Sequence, residues 1–258
     1  MANQNSNGEI AALSASLLPT PTPAKDPTTA TSTSSNGNYT IEIPPPTAAD
    51  DSAFVAHLVR TVNEVYIEAE EGMWRGGFQR TSAAQIEAML RAGELAVTYA
   101  GGNESAAKDS DDGTLTGTAS TRQPVGCMCI KALQGADATK EEPGSEGGKT
   151  TSTGTAIGDL SMLALSATYR GRGLGRAMVR FAEERCRAAL GLGIMRIELL
   201  FPTVAEHAFK VRLADWYSRM GYAETASSPR SFADAYAALA PLLAGPCDYR
   251  VYEKKLAV

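Results

Sequence analysis

Three arginines and three glycines lie within one short stretch of this chain, and their types and spacing suit the binding of an anion. The stretch reads Arg170, Gly171, Arg172, Gly173, Leu174, Gly175 and Arg176. Glycine lets the backbone turn tightly, so several N–H groups can point at one spot, and guanidinium groups donate paired hydrogen bonds to phosphate oxygens. This stretch, called the glycine loop below, is therefore predicted to bind a phosphate group.

The sequence on either side places the glycine loop between a strand and a helix. Residues 157–165 are mostly apolar and bounded by turn residues, which predicts a strand. Leu174, Met178 and Phe181 recur at helical spacing, which predicts a helix over residues 174–190. The amino end of that helix carries the positive end of the helix dipole, which also favours an anion at the glycine loop. The alternative interpretation is a glycine-rich connector that binds nothing.

Two other glycine motifs do not fit this stretch. A dinucleotide-binding fingerprint needs a third glycine where the chain has Arg176, and a P-loop needs Gly-Lys-Ser or Gly-Lys-Thr, which follows no matching glycine here. The glycine loop instead resembles the acyl-CoA pyrophosphate loop of the GNAT superfamily of N-acetyltransferases. The family signature is Arg or Gln, two residues, Gly, one residue, and Gly or Ala, and it is matched by Arg170, Gly173 and Gly175.

The resemblance continues downstream of the loop. Residues 195–201 look like a strand. Residues 216–222 read Trp-Tyr-Ser-Arg-Met-Gly-Tyr, which is similar to a family segment with the pattern aromatic-Tyr-x-x-aliphatic-Gly-aromatic. A strand–helix–strand crossover of this length is nearly always parallel, so 195–201 should lie parallel to 157–165. The resemblance implies a mixed α/β GNAT fold: a twisted, mostly antiparallel central sheet with a V-shaped splay between two parallel strands, flanked by helices.

The resemblance also implies the cosubstrate, acetyl-CoA, and where it binds. The backbone of Leu163, Ala164 and Leu165 would pair with the pantetheine, and Arg170 with residues 171–176 would hold the pyrophosphate. A backbone N–H at Leu163 would stabilise the oxyanion of the tetrahedral intermediate. Many family members carry an Asn where this chain has Lys210, so the lysine either meets a phosphate or carbonyl in its place or leaves that contact unmade.

A proton must leave the acceptor before it can react, because an aliphatic amine has a pKa of about 10.4. By strand alternation, Asp159 should share one face with Ser161, Leu163 and Leu165. Several family members carry an acidic base at the position of Asp159, and Glu198 on the next strand is the other candidate. A free aspartate, with a pKa of about 3.9, is a weak base, which favours relay through a water molecule. Alternatively, Asp159 bonds only to the backbone.

The resemblance gives Tyr217 a catalytic role, because it matches the family tyrosine that faces the sulfur of CoA. Its hydroxyl would donate a hydrogen bond to the leaving thiolate. The alternative is that Tyr217, which follows Trp216, belongs to the core.

Composition narrows the remaining classes of function. The formal net charge of −5 disfavours non-specific nucleic-acid binding. The four cysteines and two histidines show no zinc spacing, so no metal is predicted. No run of eighteen apolar residues occurs, which predicts no membrane span. The cysteines are interpreted as buried thiols of a reducing compartment, which favours the cytoplasm, alone or with the nucleus. Nothing in the sequence specifies an oligomeric state.

The domain organisation follows from where the polar, low-complexity segments lie. Residues 1–38 are predicted to be a disordered tail, and residues 39–258 to be the GNAT domain, with disordered inserts at 101–113 and 135–154. Within the domain, a capping box at residues 47–50 should open one helix, a second should start at Thr81 or Ser82, and a third should cover 232–243. His57 is interpreted as a packing residue. The acceptor site is expected to be formed by the first two helices, residues 66–80 and the segment after Gly221. Glu68, Glu70 and Glu71 either attract a cationic amine or form a solvated helix face.

These observations predict an N-acetyltransferase that moves an acetyl group from acetyl-CoA to a primary amine of a small molecule or peptide. The amine would attack directly in a ternary complex. The alternative from another class is a noncatalytic module that binds acyl-CoA and reports it to a partner. A third interpretation changes only the acceptor, to a hydroxyl group or a protein lysine.

Overall fold

A computed structural model describes residues 32–33, 39–101, 122–133 and 156–257 of the chain. The predicted tail (apart from residues 32–33), the insert at 101–113 (apart from Gly101) and the insert at 135–154 lie outside the described residues. A strand that the sequence suggests at residues 115–121 also lies outside them.

The described strands form one mixed sheet. They are β1 (Ser32–Thr33), β2 (Tyr39–Glu42), β3 (Leu95–Ala100), β4 (Gln123–Leu133), β5 (Ile157–Leu165), β6 (Ile194–Pro202), β7 (Ala223–Glu224), β8 (Arg230–Ser231) and β9 (Cys247–Lys255). Their spatial order is β1-β2-β3-β4-β5-β6-β9-β7, with β8 also paired to β9. Only β5 and β6 pair in parallel among the described strands. The predicted mixed, mostly antiparallel sheet is confirmed.

Helices cover both faces of this sheet. They are α1 (Ser52–Ala69), α2 (Ala83–Arg91), α3 (Leu174–Glu184), α4 (Ala208–Ser218) and the single turn α5 (Phe232–Ala235). Short 3-10 turns occupy Pro46–Asp50, Ala167–Tyr169 and Ala240–Leu242, and a π turn, Arg185–Ala189, follows α3. One apolar cluster packs between the sheet and α3 with α4, and another between the sheet and α1 with α2. The two sides are called the α3–α4 face and the α1–α2 face below.

Local chemistry explains which predicted helix boundaries are right. The second helix begins as expected, because Ser82 and Gln85 form a capping box. The first helix is present, but its predicted start is wrong: residues 46–50 form a 3-10 turn, and Asp51 caps α1 by accepting hydrogen bonds from the N–H groups of Ala53 and Phe54, both at 3.0 Å.

Two other predicted helices extend too far. The helix predicted over 232–243 ends at Ala235, and Pro241 lies in a separate 3-10 turn, where its missing N–H does no harm. The helix predicted over 174–190 ends at Glu184 and continues as the π turn. In that turn Arg185 is buried, and its Nη2 donates to the carbonyl of Gly93 at 2.9 Å.

The parallel strands β5 and β6 separate soon after they meet. They pair only where Gly158 faces Met195 and Asp159 faces Arg196. Beyond that point β6 continues against β9 and β5 continues against β4. The predicted V-shaped splay is confirmed, and it opens a gap in the middle of the sheet.

A β-bulge in β5 makes the predicted alternation wrong. Cys127 faces Ala164 and Cys129 faces Ser161, so two residues of β5, Met162 and Leu163, oppose one residue of β4. Met162 has a positive φ of 54°. A bulge inserts one residue and reverses the alternation beyond it.

The packing on each side shows this reversal. Leu160, Leu163 and Leu165 pack in the cluster of the α3–α4 face, whereas Met162 and Ala164 belong to the cluster of the α1–α2 face. Ser161 lies opposite Cys129, which belongs to the α1–α2 cluster, and Asp159 shares its face. Asp159 and Leu163 are therefore on opposite faces of the sheet, not on one face as the sequence predicted.

Candidate active site

A cavity of about 910 Å³ passes through the splay and is lined by residues from both faces of the sheet. From the α3–α4 face come the glycine loop, Leu163, Trp216 and Tyr217. From the α1–α2 face come Asp159, Ser161, Glu198 and residues of α1 and of the segment that follows it. A molecule entering from one face can therefore meet a molecule entering from the other.

The glycine loop uses its glycines for different purposes. Gly171 and Gly173 have φ values of 76° and 80°, in the left-handed region that favours glycine, and Gly173 directly precedes α3. Gly175 lies inside α3, and a Cβ there would come no closer than 3.7 Å to the Trp216 ring, an ordinary contact. The backbone conformation, and with it the direction of the N–H groups, depends on the first two glycines.

Most of the predicted cofactor-binding residues line the cavity, but three do not. Those that do are Leu163, Leu165, Arg170, Gly171, Gly173, Gly175 and Arg176. Leu174, the first residue of α3, is buried, and Ala164 is buried on the α1–α2 face of the sheet. Arg172 lies outside, with its guanidinium 6.0 Å from the centre of the Tyr169 ring. The side chains of Leu174, Ala164 and Arg172 therefore do not line the cavity. Leu174 and Ala164 could contact a ligand in the cavity only through their backbone.

Arg170 is already paired with a carboxylate. Its Nη1 donates to both oxygens of Glu68, at 2.7 and 2.8 Å, and its Nε donates to the Leu165 carbonyl at 3.3 Å. The hydrogen bond from Arg170 holds the pKa of Glu68 below its usual value. Glu68 is exposed on α1, as a solvated face would have it, but its carboxylate occupies the guanidinium that a diphosphate would need.

Tyr217 lies in the wall of the cavity and also in the core. Its side chain is 3% exposed, with the ring edge-on to Trp216 and to Tyr222 at centroid distances of 4.8 and 5.7 Å. Burial raises the pKa of Tyr217 above its usual value. The phenol therefore stays neutral at physiological pH, as a hydrogen-bond donor must.

The two candidate carboxylates, Asp159 and Glu198, lie on neighbouring strands on the α1–α2 face. Burial and the nearby charge of Glu198 raise the pKa of Asp159 to about 6, although Ser161 and Lys131 act in the opposite direction. A group with this pKa accepts a proton at neutral pH far better than a free aspartate. Glu198 Oε2 accepts a hydrogen bond from the Tyr236 hydroxyl at 2.9 Å.

Lys210 is engaged by another residue of the protein. Its Nζ donates to Glu70 Oε1 at 2.8 Å, and the two side chains are 4% and 7% exposed. Trp74 Nε1 donates to the other carboxylate oxygen at 2.6 Å. Burial opposes the charge of Glu70, but Lys210, Arg80 and Trp74 together hold its pKa below the usual value. The interpretation of Glu70 as part of a solvated face is wrong, because α1 ends at Ala69 and Glu70 turns inward.

Seven further residues line the cavity that the sequence did not single out for a role. They are Tyr66, Trp74, Phe78, Arg80, Phe232, Tyr236 and Tyr249. They fall in residues 66–80 and in the segment after Gly221, which were expected to contribute to the acceptor site, but the sequence did not indicate which side chains there would meet. His57, by contrast, does not line the cavity: its Nε2 bonds to the Pro124 carbonyl at 2.8 Å, as a packing residue would.

Metal ligation and membrane insertion find no support in the described ranges. Within residues 39–101, 122–133 and 156–257, no three His, Cys, Asp or Glu side chains are grouped closely enough to hold a metal ion. In the same ranges no helix combines the length and the apolar character needed to cross a bilayer.

Comparison with known proteins adds a domain assignment. Residues 114–224 match the sequence profile of the acetyltransferase (GNAT) domain. No curated protein matches the chain. The NatC complex bound to Gag peptide and CoA is similar in structure, with 13% identity, a TM-score of 0.47, and coverage of 85% of this chain and 99% of that chain.

Two further solved structures are similar at the same level. N-acetylglutamate synthase from Neisseria gonorrhoeae, complexed with coenzyme A and N-acetyl-glutamate, has 13% identity and a TM-score of 0.46, covering 85% of this chain but 35% of that chain. Arabidopsis thaliana NAA60 in complex with acetyl-CoA has 11% identity and a TM-score of 0.47, covering 78% of this chain and 94% of that chain. Sequence identities and TM-scores this low do not indicate what this chain binds or acts on.

Proposed function

We propose that this chain, whose residues 114–224 match the acetyltransferase (GNAT) domain, is an acyl-CoA-dependent acyltransferase that acetylates a primary amine of a small molecule or peptide. The acetyl donor is acetyl-CoA, and the amine attacks the thioester directly in a ternary complex. We also propose that the protein is located in the cytoplasm, alone or with the nucleus. The four cysteines are free and buried, which is compatible with a reducing compartment.

One observation supports this proposal most directly. The cavity joins an anion-binding loop on the α3–α4 face to two carboxylates on the α1–α2 face. The bulge at Met162 produces this division, because it turns Leu163 toward one face and leaves Asp159 on the other. A cosubstrate and an acceptor can thus approach from opposite sides and meet in the splay, which direct transfer requires.

The carboxylate side provides the base. Asp159, with its pKa raised to about 6, is ionised at pH 7 and still basic enough to accept a proton from an ammonium group through a water molecule. Glu198 raises that pKa by its charge and is itself held in place by Tyr236. We assign Asp159 as the base and Glu198 as the residue that tunes it.

The loop side holds the thioester. The N–H groups around Gly171 and Gly173, together with the amino end of α3 and Arg176, bind the diphosphate. Leu163 lies at the bulge, where the pairing with β4 is interrupted, and we assign its N–H as the donor that stabilises the developing oxyanion of the thioester. Tyr217 donates a hydrogen bond to the leaving sulfur. The pKa of Tyr217 is raised, and the pKa of a thiol is only about 8.5. Tyr217 therefore stabilises the leaving thiolate by a hydrogen bond and does not give up its proton.

The experiment that tests the proposal has two steps on the full chain. Calorimetric titration with CoA measures binding, and the protein is then incubated with acetyl-CoA and a panel of amines, peptides and alcohols. Thiol release and the mass of each product are recorded together. Acetylated amines are the expected result. Thiol release with only acetylated alcohols, or CoA binding without any transfer, would overturn the proposal in favour of hydroxyl transfer or of a noncatalytic acyl-CoA-binding module.

A further inference from the structure

Two cations that line the cavity, Arg80 and Arg176, form no ion pair within the described part of the chain, and Arg176 is assigned above to the diphosphate. Arg80 lines the cavity, and its Nε atom is buried without a hydrogen-bond partner there. None of the ion pairs among the described residues involves Arg80. The nearby carboxylate of Glu70 is already occupied, by Lys210 on one oxygen and by Trp74 on the other.

Arg80 is held in a fixed position. The next residue, Thr81, is bound through its backbone to the buried side chain of Asn63, which accepts from the Thr81 N–H at 3.0 Å and donates to the Thr81 carbonyl at 3.1 Å. The guanidinium lies over the ring of Tyr66, 5.0 Å from its centre. Burial works against its charge, but Tyr66 and Glu70 raise the pKa of Arg80, so it stays charged.

Charges of both signs line the α1–α2 side of the cavity, in two groups. Arg80 and Lys210 contribute two positive charges beside the negative charge of Glu70, and Asp159 and Glu198 contribute two negative charges at the splay. The buried Nε of Arg80 has no hydrogen-bond acceptor, which is unfavourable, and an arriving anion that accepts from it removes that penalty. Arginine also presents a planar fork that fits a carboxylate.

Aromatic rings form the wall beside Arg80. Trp74 stacks on Phe78 at 3.9 Å between ring centres and meets Phe232 edge-on at 5.8 Å. Phe232 contacts Tyr236 at 4.9 Å. Rings of this kind favour a flat or large apolar group.

Tyr236 connects this wall to the catalytic carboxylates. Its hydroxyl donates to Glu198 at 2.9 Å, and it is near enough to Arg80 to influence the pKa of the guanidinium. Arg80, Tyr236 and Glu198 all line the same cavity. A single small molecule can therefore reach both Arg80 and Glu198.

We propose that the acceptor is a small amine that also carries a carboxylate and an aromatic or large apolar group, with Arg80 binding the carboxylate. The amine then lies toward Asp159 and Glu198, and the apolar group lies on the wall formed by Trp74, Phe78 and Phe232. This inference rests on the proposed function, because it describes the acceptor of the same reaction.

The first test uses wild-type protein and two matched pairs of amines. L-phenylalanine is compared with phenethylamine, and 4-(aminomethyl)benzoate with benzylamine, so that only the carboxylate differs within a pair. A charge-assisted contact should give one carboxylate-bearing member a kcat/KM roughly 10- to 100-fold higher than its partner. L-alanine should be a poorer acceptor than L-phenylalanine. Equal or better transfer to both plain amines would overturn the inference and leave the proposed function standing.

The second test removes the guanidinium. In Arg80→Gln the ratio of kcat/KM within the preferred pair should fall close to one, mainly through a higher KM for the carboxylate-bearing amine. Arg80→Lys should restore part of the ratio. Arg60→Gln is the matched control, because Arg60 is an exposed arginine of α1 that does not line the cavity. An unchanged ratio in folded Arg80→Gln would overturn the inference.

A binding measurement separates this inference from the proposed function. If no amine is acetylated, the proposed function fails, and the inference is then decided by calorimetry on CoA-loaded protein. N-acetyl-phenylalanine should bind roughly 10-fold more tightly than N-acetyl-phenethylamine, and this difference should vanish in Arg80→Gln. Equal affinity of the two compounds for wild-type protein would overturn the inference.

Discussion

The two ends of the cavity are built in different ways. The end on the α3–α4 face is made largely of one contiguous stretch, residues 170–176, and it offers backbone N–H groups, a helix terminus and Arg176. The end on the α1–α2 face is assembled from α1, residues 70–81, β5, β6 and residues 232–249, and it offers side chains. Backbone recognition suits a cosubstrate shared by a superfamily, whereas side chains can specify one acceptor.

The comparison predicts that the two ends respond differently to substitution. Changes on the α1–α2 face should alter chemistry and acceptor choice while CoA affinity is preserved. Changes in the glycine loop should alter CoA affinity first.

The largest effect is expected for Asp159→Asn, which removes the proposed base. Turnover should fall by roughly 100-fold or more, since general base catalysis contributes that much. In wild-type protein, activity should rise with pH through about 6, as Asp159 loses its proton, and the variant should lack this rise. Rates measured from pH 5 to 8 with saturating acetyl-CoA would show both effects. If the rise disappears in Glu198→Gln and survives in Asp159→Asn, the two assignments are reversed.

Stability provides an independent check on Asp159. Its pKa in the folded protein, about 6, is above the usual value of 3.8, so folding favours the protonated form. This group contributes about 3 kcal/mol to the free energy of unfolding below pH 4. The contribution is lost as the pH rises through 6. Asp159→Asn should therefore unfold at the same or a higher temperature at pH 7.5. A clearly lower unfolding temperature would indicate a structural role.

The second effect concerns the loop end. Gly173→Val forces a β-branched residue into a φ of 80°, which strains the backbone and turns its N–H groups away from the diphosphate. CoA affinity, measured by calorimetry, should fall by roughly 10- to 100-fold. Gly191→Val is the matched control, because Gly191 has a φ of 66° and does not line the cavity. Its unfolding temperature should fall similarly while CoA affinity is retained. Unchanged affinity in folded Gly173→Val would remove the basis of the site.

A smaller effect is expected where the two ends meet. Tyr217→Phe should lower kcat by roughly 10-fold with little change in CoA affinity, because the hydroxyl acts on the leaving sulfur and not on the bound cosubstrate. Tyr222→Phe is the control: Tyr222 touches the Tyr217 ring, but its hydroxyl donates to Glu183 and it does not line the cavity. Equal kcat values for the two variants would assign Tyr217 to the core alone.

The smallest effect tests the ion pair that links the two ends. Glu68→Gln releases Arg170 from its carboxylate, so CoA should bind a few-fold more tightly, roughly 2- to 5-fold, since an exposed pair is worth little. In the background of Arg170→Gln, Glu68→Gln should change CoA affinity no further. A double-mutant cycle by calorimetry measures this coupling. Additive effects would show that Glu68 and the diphosphate do not compete for Arg170.

Much of the fold was predictable from local pattern. The strand over residues 157–165, the capping box at Ser82 and the parallel pairing of β5 with β6 follow from periodicity, capping chemistry and crossover geometry. The misplaced start of α1 and the overlong helix at 232–243 have local causes, in the competing cap at Asp51 and in Pro241. The bulge in β5 had no such signal, because nothing in the run from Asp159 to Leu165 marks Met162 as the residue with positive φ.

The sequence by itself determined the candidate anion-binding loop, since glycines and arginines act there through backbone freedom and fixed charge, which depend on neighbours along the chain. It also indicated Asp159, Glu198 and Tyr217 as candidates, but tertiary structure alone decided how the rest of the site is arranged. It placed Asp159 beside Glu198, paired Lys210 with Glu70, and brought Arg80 to Tyr236. The physical reason is that burial and the pairing of charges depend on which distant segments pack together, and the spacing of residues along the chain does not record that.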